Sequence, residues 1–313
     1  NKRKDLVFCG RTLFGAPPVK AQDLSDHYFG ALKPRIMNFM QEVDEELWKL
    51  GVPSKTKHNE VAPAQHEVAQ IYSPSNLASD QNHIIMETLK VVANRHNLVC
   101  LLHEKPFKGI NGSGKHNNWS LITNTGVNLL EPGNSPKDNV QFLIFLCAVI
   151  KAVDEYADLL RIAVSSYSND KRLGGQEAPP SIISIYLGDE LMEILESIER
   201  GEIYTRHARN NFKVGLNVLL SFPCDTSDRN RTSPFAFTGN KFEFRMVGSS
   251  QSISSPNMIM NTIVAQALKE FADELESYSV PSEHLNELLV KTIKKHKRII
   301  FSGNSYSPQW EEE

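Results

Sequence analysis

The chain has 313 residues, with 34 Lys and Arg against 37 Asp and Glu, a formal net charge of −3 and a pI near 6.4. Hydrophobic residues make up 40% and charged residues 23%, the balance of a chain with a sizeable core. No basic field attracts nucleic acid or an anionic membrane, and the longest apolar run, Phe142 to Ile150 at nine residues, is too short to cross a bilayer.

Asp26 to Leu50 reads as a helix, because Tyr28, Leu32, Ile36, Phe39, Val43 and Leu47 recur at helical steps. Pro34 either kinks that helix or begins it, and Gly51-Val52-Pro53 ends it. Val61 to Tyr72 reads as a strand interrupted at Pro63, Asp80 to His96 as a second helix with Ile84, Ile85, Leu89, Val92 and Ala93 on one face, and Leu98 to His103 as a short buried strand. Val140 to Val164 reads as one long, central helix and Asp189 to Arg200 as an amphipathic helix ended by Gly201. Lys241 to Arg245 reads as a strand, and Ser255 to Ser277 and Glu283 to Ile300 as two further helices. There is no repeat and no βαβ rhythm, so an α+β fold with an antiparallel sheet is expected.

Three polar clusters carry candidate chemistry. In His58-Asn59-Glu60-Val61-Ala62-Pro63-Ala64-Gln65-His66-Glu67, a bulge at Pro63 would bring Glu60 and Glu67 to one face. Two converging carboxylates suit a hard divalent cation, and two solvated surface acids beside a turn fit the same spacing. Asn111-Gly112-Ser113-Gly114 is a loop able to close its backbone on a ligand, with His116 and Ser120 just beyond; a plain turn fits it too. Lys241, Glu243 and Arg245 alternate with Phe242 and Phe244, which places the rings in the core and the charges on the other face. That row is either a solvated, ion-paired face or a phosphate- and metal-binding one. The four cysteines, Cys9, Cys100, Cys147 and Cys224, form no CxxC pair, so a reducing cytoplasm fits better than a disulfide framework. Asn1-Lys2-Arg3-Lys4 is no signal peptide, and the abrupt charged ends read as those of a piece of a longer polypeptide.

In this order the clusters resemble glutamine synthetase, most of all the large bacterial type III enzymes. Asn59 to Glu67, His103-Glu104-Lys105-Pro106-Phe107 leading to Asn111 to His116, and Asn230-Arg231-Thr232-Ser233-Pro234 leading to Glu243-Phe244-Arg245 carry the likeness. Lys171 to Pro179 resembles the family's glutamate-site flap. The resemblance implies a catalytic domain of the glutamine synthetase and guanido kinase type, with an antiparallel, partly barrel-like sheet and helices outside. It implies ligation of ammonia to the γ-carboxylate of L-glutamate through γ-glutamyl phosphate, with ATP as substrate and two or more Mg²⁺ or Mn²⁺ ions. Glu60 and Glu67 match ligands of the first metal, and Glu60 also borders the ammonium site. His116 and Glu243 match ligands of the second metal. Asn111 and Gly112 match the amino-acid loop, Arg172 the arginine on the substrate carboxylate and Glu177 the acidic flap residue. Arg231 and Arg245 match arginines around the transferred phosphate, and Ser120 and Lys241 nucleotide-side positions. Stacked rings of subunits, a dodecamer, are implied as well.

Departures from the family pattern sit beside the likeness. Asp5 is the only acid before Asp23, so neither the upstream strand that brings each metal one more acidic ligand nor the N-terminal β-grasp domain is expected within these 313 residues. Residues 1–313 therefore read as a catalytic domain without them. The flap is one residue short between Arg172 and Glu177. Ala236 stands where more familiar classes carry a second arginine, and Asn118 where the bacterial type I enzymes carry a second histidine. A ligase that adds a polyamine to glutamate, or a non-catalytic relative, are the alternatives.

Overall fold

A computed structural model describes residues 4–9, 11–15, 28, 30–175, 178–202, 211–212, 222–223 and 233–303. In chain order the elements are α1 Lys4–Cys9, α2 Pro34–Lys49, β1 Ser54–Asn59, β2 His66–Gln70, α3 Ser75–Arg95, β3 Gly114–Trp119, α4 Val140–Glu155, α5 Ala157–Ala163 and α6 Tyr167–Arg172. There follow β4 Ile185–Tyr186, α7 Asp189–Arg200, β5 Asn211–Phe212, β6 Phe222–Pro223, β7 Phe235–Phe237, β8 Phe242–Gly248, α8 Ser254–Glu276 and α9 Pro281–His296. The chain divides into two compact units. The first holds residues 1–115, 166–178 and 247–255, and the second the remainder.

In the first unit α2 and α3 pack through Phe39, Met40, Val43, Leu47, Ile85, Val92 and Ala93, with Val52, Ile36, Ile84 and Leu89 around them. Helix α2 begins at Pro34, whose missing N–H costs nothing at a first helical position. Of the two roles open to Pro34, the start is the one observed. Glu42 of α2 accepts from Arg95 at 2.9 Å and His96 at 2.7 Å, which ties the end of α3 to it. Asp44, 4% exposed, accepts from Ser54 Oγ at 2.7 Å and pairs with Lys57, anchoring β1 on α2. Strands β1 and β2 form an antiparallel hairpin, so residues 61–65 are its turn and not strand. Residues 98–103 are not a strand either. Val99 and Leu101 are 81% and 53% exposed, and Leu98 and Cys100 alone reach the core.

In the second unit four strands lie in the order β3-β8-β7-β4. Strands β7 and β8 are antiparallel, while β4 runs parallel to β7. Among the described residues this sheet is open rather than closed into a barrel. Phe235 stacks on Phe242 with centroids 4.6 Å apart and meets Phe244 edge-on at 6.0 Å. Helix α4 is buried from Phe142 to Val153 on nearly every side except Ile144 and Phe145. It stops at Glu155, and Tyr156 (φ −128°, ψ 28°) breaks the expected single helix before α5. Helix α7 has the bounds expected, closed by Gly201 in the left-handed conformation at φ 69°. At the end of α9, His296, 2% exposed, lies 2.7 Å from Asp154, which also accepts from Arg298 at 2.9 Å. Among the described residues no helix is long and apolar enough to cross a membrane.

Asn139 caps α4 by accepting from the Phe142 N–H at 3.1 Å. Asn139→Ala is expected to cost ~1 kcal/mol of stability, read as a lower urea midpoint at unchanged slope.

Candidate functional site

The β1–β2 hairpin positions the first set. Glu60 N–H donates to the Gln65 carbonyl at 2.9 Å, and Gln65 N–H to that of Ala62 at 3.2 Å. Ala64 takes the left-handed conformation, φ 56°, to close the turn. His58 stands opposite Glu67 in the ladder. Candidate ligand atoms of His58, Glu60 and Glu67 all lie within 4.8 Å of one another. His58 Nε2 is 2.9 Å from Glu67 Oε2, and Nδ1 is 3.7 Å from Glu60 Oε1. Glu60 and Glu67 thus converge as expected, but through a tight reversal rather than a bulge at Pro63. The strand irregularity lies between Ser54 and Thr56 instead. His58 escaped the sequence reading. The segment around it, Ser54 to Asn59, has no apolar residue to mark a strand face, so nothing local pointed to His58. Two carboxylates and an imidazole are a donor set that a divalent cation with mixed oxygen and nitrogen preference accepts.

The loop from Asn111 to Gly114 belongs to the same unit, and it precedes a strand rather than following one. Asn111 is buried at 8% exposure. Gly112 offers its carbonyl to Gln65 Nε2 at 2.7 Å, and Ser113 N–H donates to the Glu104 carbonyl at 2.8 Å. Arg172, on α6, is 4% exposed and donates from one guanidinium nitrogen to Asn169 Oδ1 at 3.1 Å and to the Val247 carbonyl at 3.4 Å. A Cβ on Gly114 would lie 2.1 Å from another of its nitrogens. Arg172 therefore packs against the loop backbone from beneath.

The second unit carries the second set. On β3, Gly114, His116 and Asn118 are exposed, while Asn117 and Trp119 donate to Asn257 and Asn261 of α8, each at 2.8 Å. His116 Nδ1 lies 3.0 Å from Glu243 Oε1. Arg245, 3% exposed, reaches Glu243 Oε2 at 2.8 Å and 3.1 Å and the Ser233 carbonyl at 3.4 Å. Burial alone would raise the Glu243 pKa. The hydrogen bond and charge of His116, with those of Arg245, more than reverse this and hold it at about 2. Phe242 and Phe244 are in the core, as the alternation predicts. Ser120 Oγ lies 2.8 Å from Asn128 Oδ1 and 3.0 Å from the Asn240 carbonyl. Lys241 occupies the β7–β8 turn, its carbonyl accepting from Thr238 N–H at 2.8 Å. Glu177 and Arg231 lie outside the described residues.

Among solved structures, the chain superposes on a cryo-electron-microscopy structure of Plasmodium falciparum glutamine synthetase with a TM-score of 0.52 at 17% identity, covering 74% of this chain and 37% of that one. A structure of apo GmaS without ligand gives the same TM-score and identity over 89% and 61%. The fold is therefore that of these proteins. The family model for the glutamine synthetase catalytic domain matches residues 15–184, and that for the glutamine synthetase C-terminal domain residues 284–313. The chain belongs to the glutamine synthetase family. It is 52% identical over 317 residues to a glutamine synthetase of Butyrivibrio fibrisolvens and 51% identical over 313 residues to the type-3 glutamine synthetase of Dictyostelium discoideum. Those matches cover 100% and 99% of this chain but 45% and 43% of the two proteins, so the chain spans less than half the length of these relatives.

Proposed function

We propose that this chain is catalytic-domain sequence of an enzyme that joins ammonia to the γ-carboxylate of L-glutamate, with ATP as the phosphoryl donor and γ-glutamyl phosphate as the intermediate. The observation that carries this reading is the Glu243 carboxylate, 3.0 Å from His116 Nδ1 and 2.8 Å from the buried Arg245 guanidinium, on the sheet of a glutamine synthetase fold. A carboxylate is a poor electrophile, and phosphorylation supplies the leaving group that lets ammonia attack. Magnesium or manganese, bound at Glu60 and Glu67 with His58, and at His116 and Glu243, would supply charge neutralisation on the phosphoryl oxygens. Glu60 accepts a proton or orients ammonium at its border. The backbone of Asn111 and Gly112 binds the amino acid, with Arg172 supporting that loop and meeting the carboxylate. Glu177 shields the intermediate from water, and Arg231 and Arg245 face transferred phosphate. Ser120 and Lys241 lie on the nucleotide side. A cytoplasmic, ring-forming homo-oligomer of dodecamer type, with no nucleic-acid or membrane partner, completes the reading and is supported by family membership and by the near-neutral charge.

The test is phosphate release from ATP by the full protein. Release is expected only with glutamate and ammonium together, with kcat/KM for ammonium at least about tenfold above that for methylamine or putrescine, a difference of ~1.4 kcal/mol in transition-state binding. Release that ammonium does not stimulate, or a preference for the larger amines, overturns the assignment.

A further inference from the structure

Glu104 has no part in the chemistry above, yet it is the most deeply buried carboxylate among the described residues, at 0% exposure. Its Oε1 accepts from Ser250 N–H at 2.9 Å and Ser250 Oγ at 2.6 Å, and its Oε2 from Ser168 Oγ at 2.6 Å. Burial pushes its pKa up, and the hydrogen bonds from Ser168 and Ser250 bring it below the ordinary carboxylate value, so the group is an anion. Its main chain is engaged as well, because the Glu104 carbonyl receives Ser113 N–H at 2.8 Å. At the other end of the loop, Lys115 Nζ donates to the carbonyls of Gly248 at 3.2 Å, Ser249 at 2.6 Å and Gln251 at 2.5 Å.

Two sets of these contacts share one target. In the turn at residues 248–251, Ser250 donates to Glu104 from both its N–H and its hydroxyl, and the carbonyls of Gly248, Ser249 and Gln251 accept from Lys115. An anion and a cation at the two ends of the 105–114 loop are fastened to opposite poles of the same turn. The fit is tight, since a Cβ on Gly248 would lie 2.4 Å from Glu104 Oε1. Packing alone does not call for this arrangement, because apolar groups of similar volume often replace buried charged groups at no loss of stability. What charge and hydrogen bonding add is a single geometry for the backbone between the two ends.

We propose that Glu104 and Lys115 are positioning residues that hold the Asn111–Gly114 backbone in the shape that binds the amino-acid substrate. The proposal rests on the function given above. Glu104→Gln tests it in the full protein, since it keeps the shape and removes the charge. Its amide oxygen can still accept from Ser250, and its amide nitrogen faces Ser168 Oγ. KM for glutamate is expected to rise ~10-fold, with kcat within about threefold and KM for ATP unchanged. Amide hydrogen exchange at residues 112–115 is expected to quicken in the same variant. Ser250→Ala, which removes one donor and is the milder change, is expected to move KM for glutamate the same way by about threefold. An unchanged KM for glutamate in both variants overturns the proposal. So does an equal deterioration for ATP and glutamate with a fall in kcat, which marks general loss of structure. Wild-type protein without glutamate-dependent turnover overturns the functional reading first, a result read before any variant is made.

Discussion

Glu243→Ala is expected to lower glutamate-dependent turnover of the full protein by at least about 100-fold, the scale seen when a main electrostatic stabiliser is lost. The carboxylate sits between an imidazole at 3.0 Å and a buried guanidinium at 2.8 Å. Its removal takes a carboxylate partner from Arg245, 3% exposed, so the variant loses the proposed metal ligand and local order together. Glu243→Gln separates these effects, since it keeps the volume and an acceptor and gives up the charge. Glu60→Ala is expected to fall by a similar factor, and excess chelator to reduce the wild type to the level of either variant. The assay is steady-state phosphate release over a divalent-cation titration. Near-normal turnover in either alanine variant at low metal refutes that residue's assignment. The acid side of the pH response carries a sign. Glu243 titrates at about 2 in the fold, against 4.5 for the unperturbed group. Its contribution to stability is therefore complete above pH 4.5 and is lost as pH falls towards 2. Glu243 therefore contributes no acid limb to kcat/KM above pH 5. Carboxyl-labelled Glu243 should show no titration between pH 5 and 8.

Elements whose signals are local were legible from the residues. Helix α7 reads off its amphipathic spacing and Gly201, and β8 off the Phe242 and Phe244 alternation, because burial and capping there follow from neighbours in sequence. Strand β1 was not legible. Ser-Lys-Thr-Lys-His-Asn has no apolar residue to reveal its period, and it is held by the β2 ladder and by buried Asp44 of α2, which no local window contains. The 98–103 segment misleads the other way. Its apolar residues suggest a buried strand, but only Leu98 and Cys100 reach the α2–α3 core, and Val99 and Leu101 are exposed. The break at Tyr156 has no proline or glycine to announce it. The carboxylates of the first set were readable as a convergent pair while the means of convergence was not. A turn closed by Ala64 at positive φ and a direct His58–Glu67 partnership depend on register, and register is decided by pairing rather than composition.

The loop at residues 111–114, proposed above to bind the amino acid, gives the second large effect. Gly112→Ala is expected to lower kcat/KM for glutamate by roughly 100-fold, as an ångström of misplacement at a reacting site can. A Cβ at this position would stand 2.5 Å from the Glu104 carbonyl oxygen and 2.8 Å from Arg172 Cγ. The carbonyl cannot swing aside cheaply, because it holds Ser113 N–H at 2.8 Å, and the arginine is fixed by Asn169 and Val247. The loop backbone must yield instead. Yielding draws the Gly112 carbonyl away from Gln65, whose backbone closes the hairpin bearing Glu60. The accompanying loss of stability is expected to be about 1–3 kcal/mol, as for other overpacked sites. Gly133→Ala serves as the comparison. Gly133, unlike Gly112, has a left-handed conformation that favours glycine, φ 69°, and nothing lies within 4 Å of its would-be Cβ. It should lose ~1–2 kcal/mol from backbone strain and leave kcat/KM for glutamate unchanged. Paired urea unfolding and steady-state kinetics on the two variants decide the matter. If both lose stability equally and both keep kcat/KM, the 111–114 backbone does not contact the substrate.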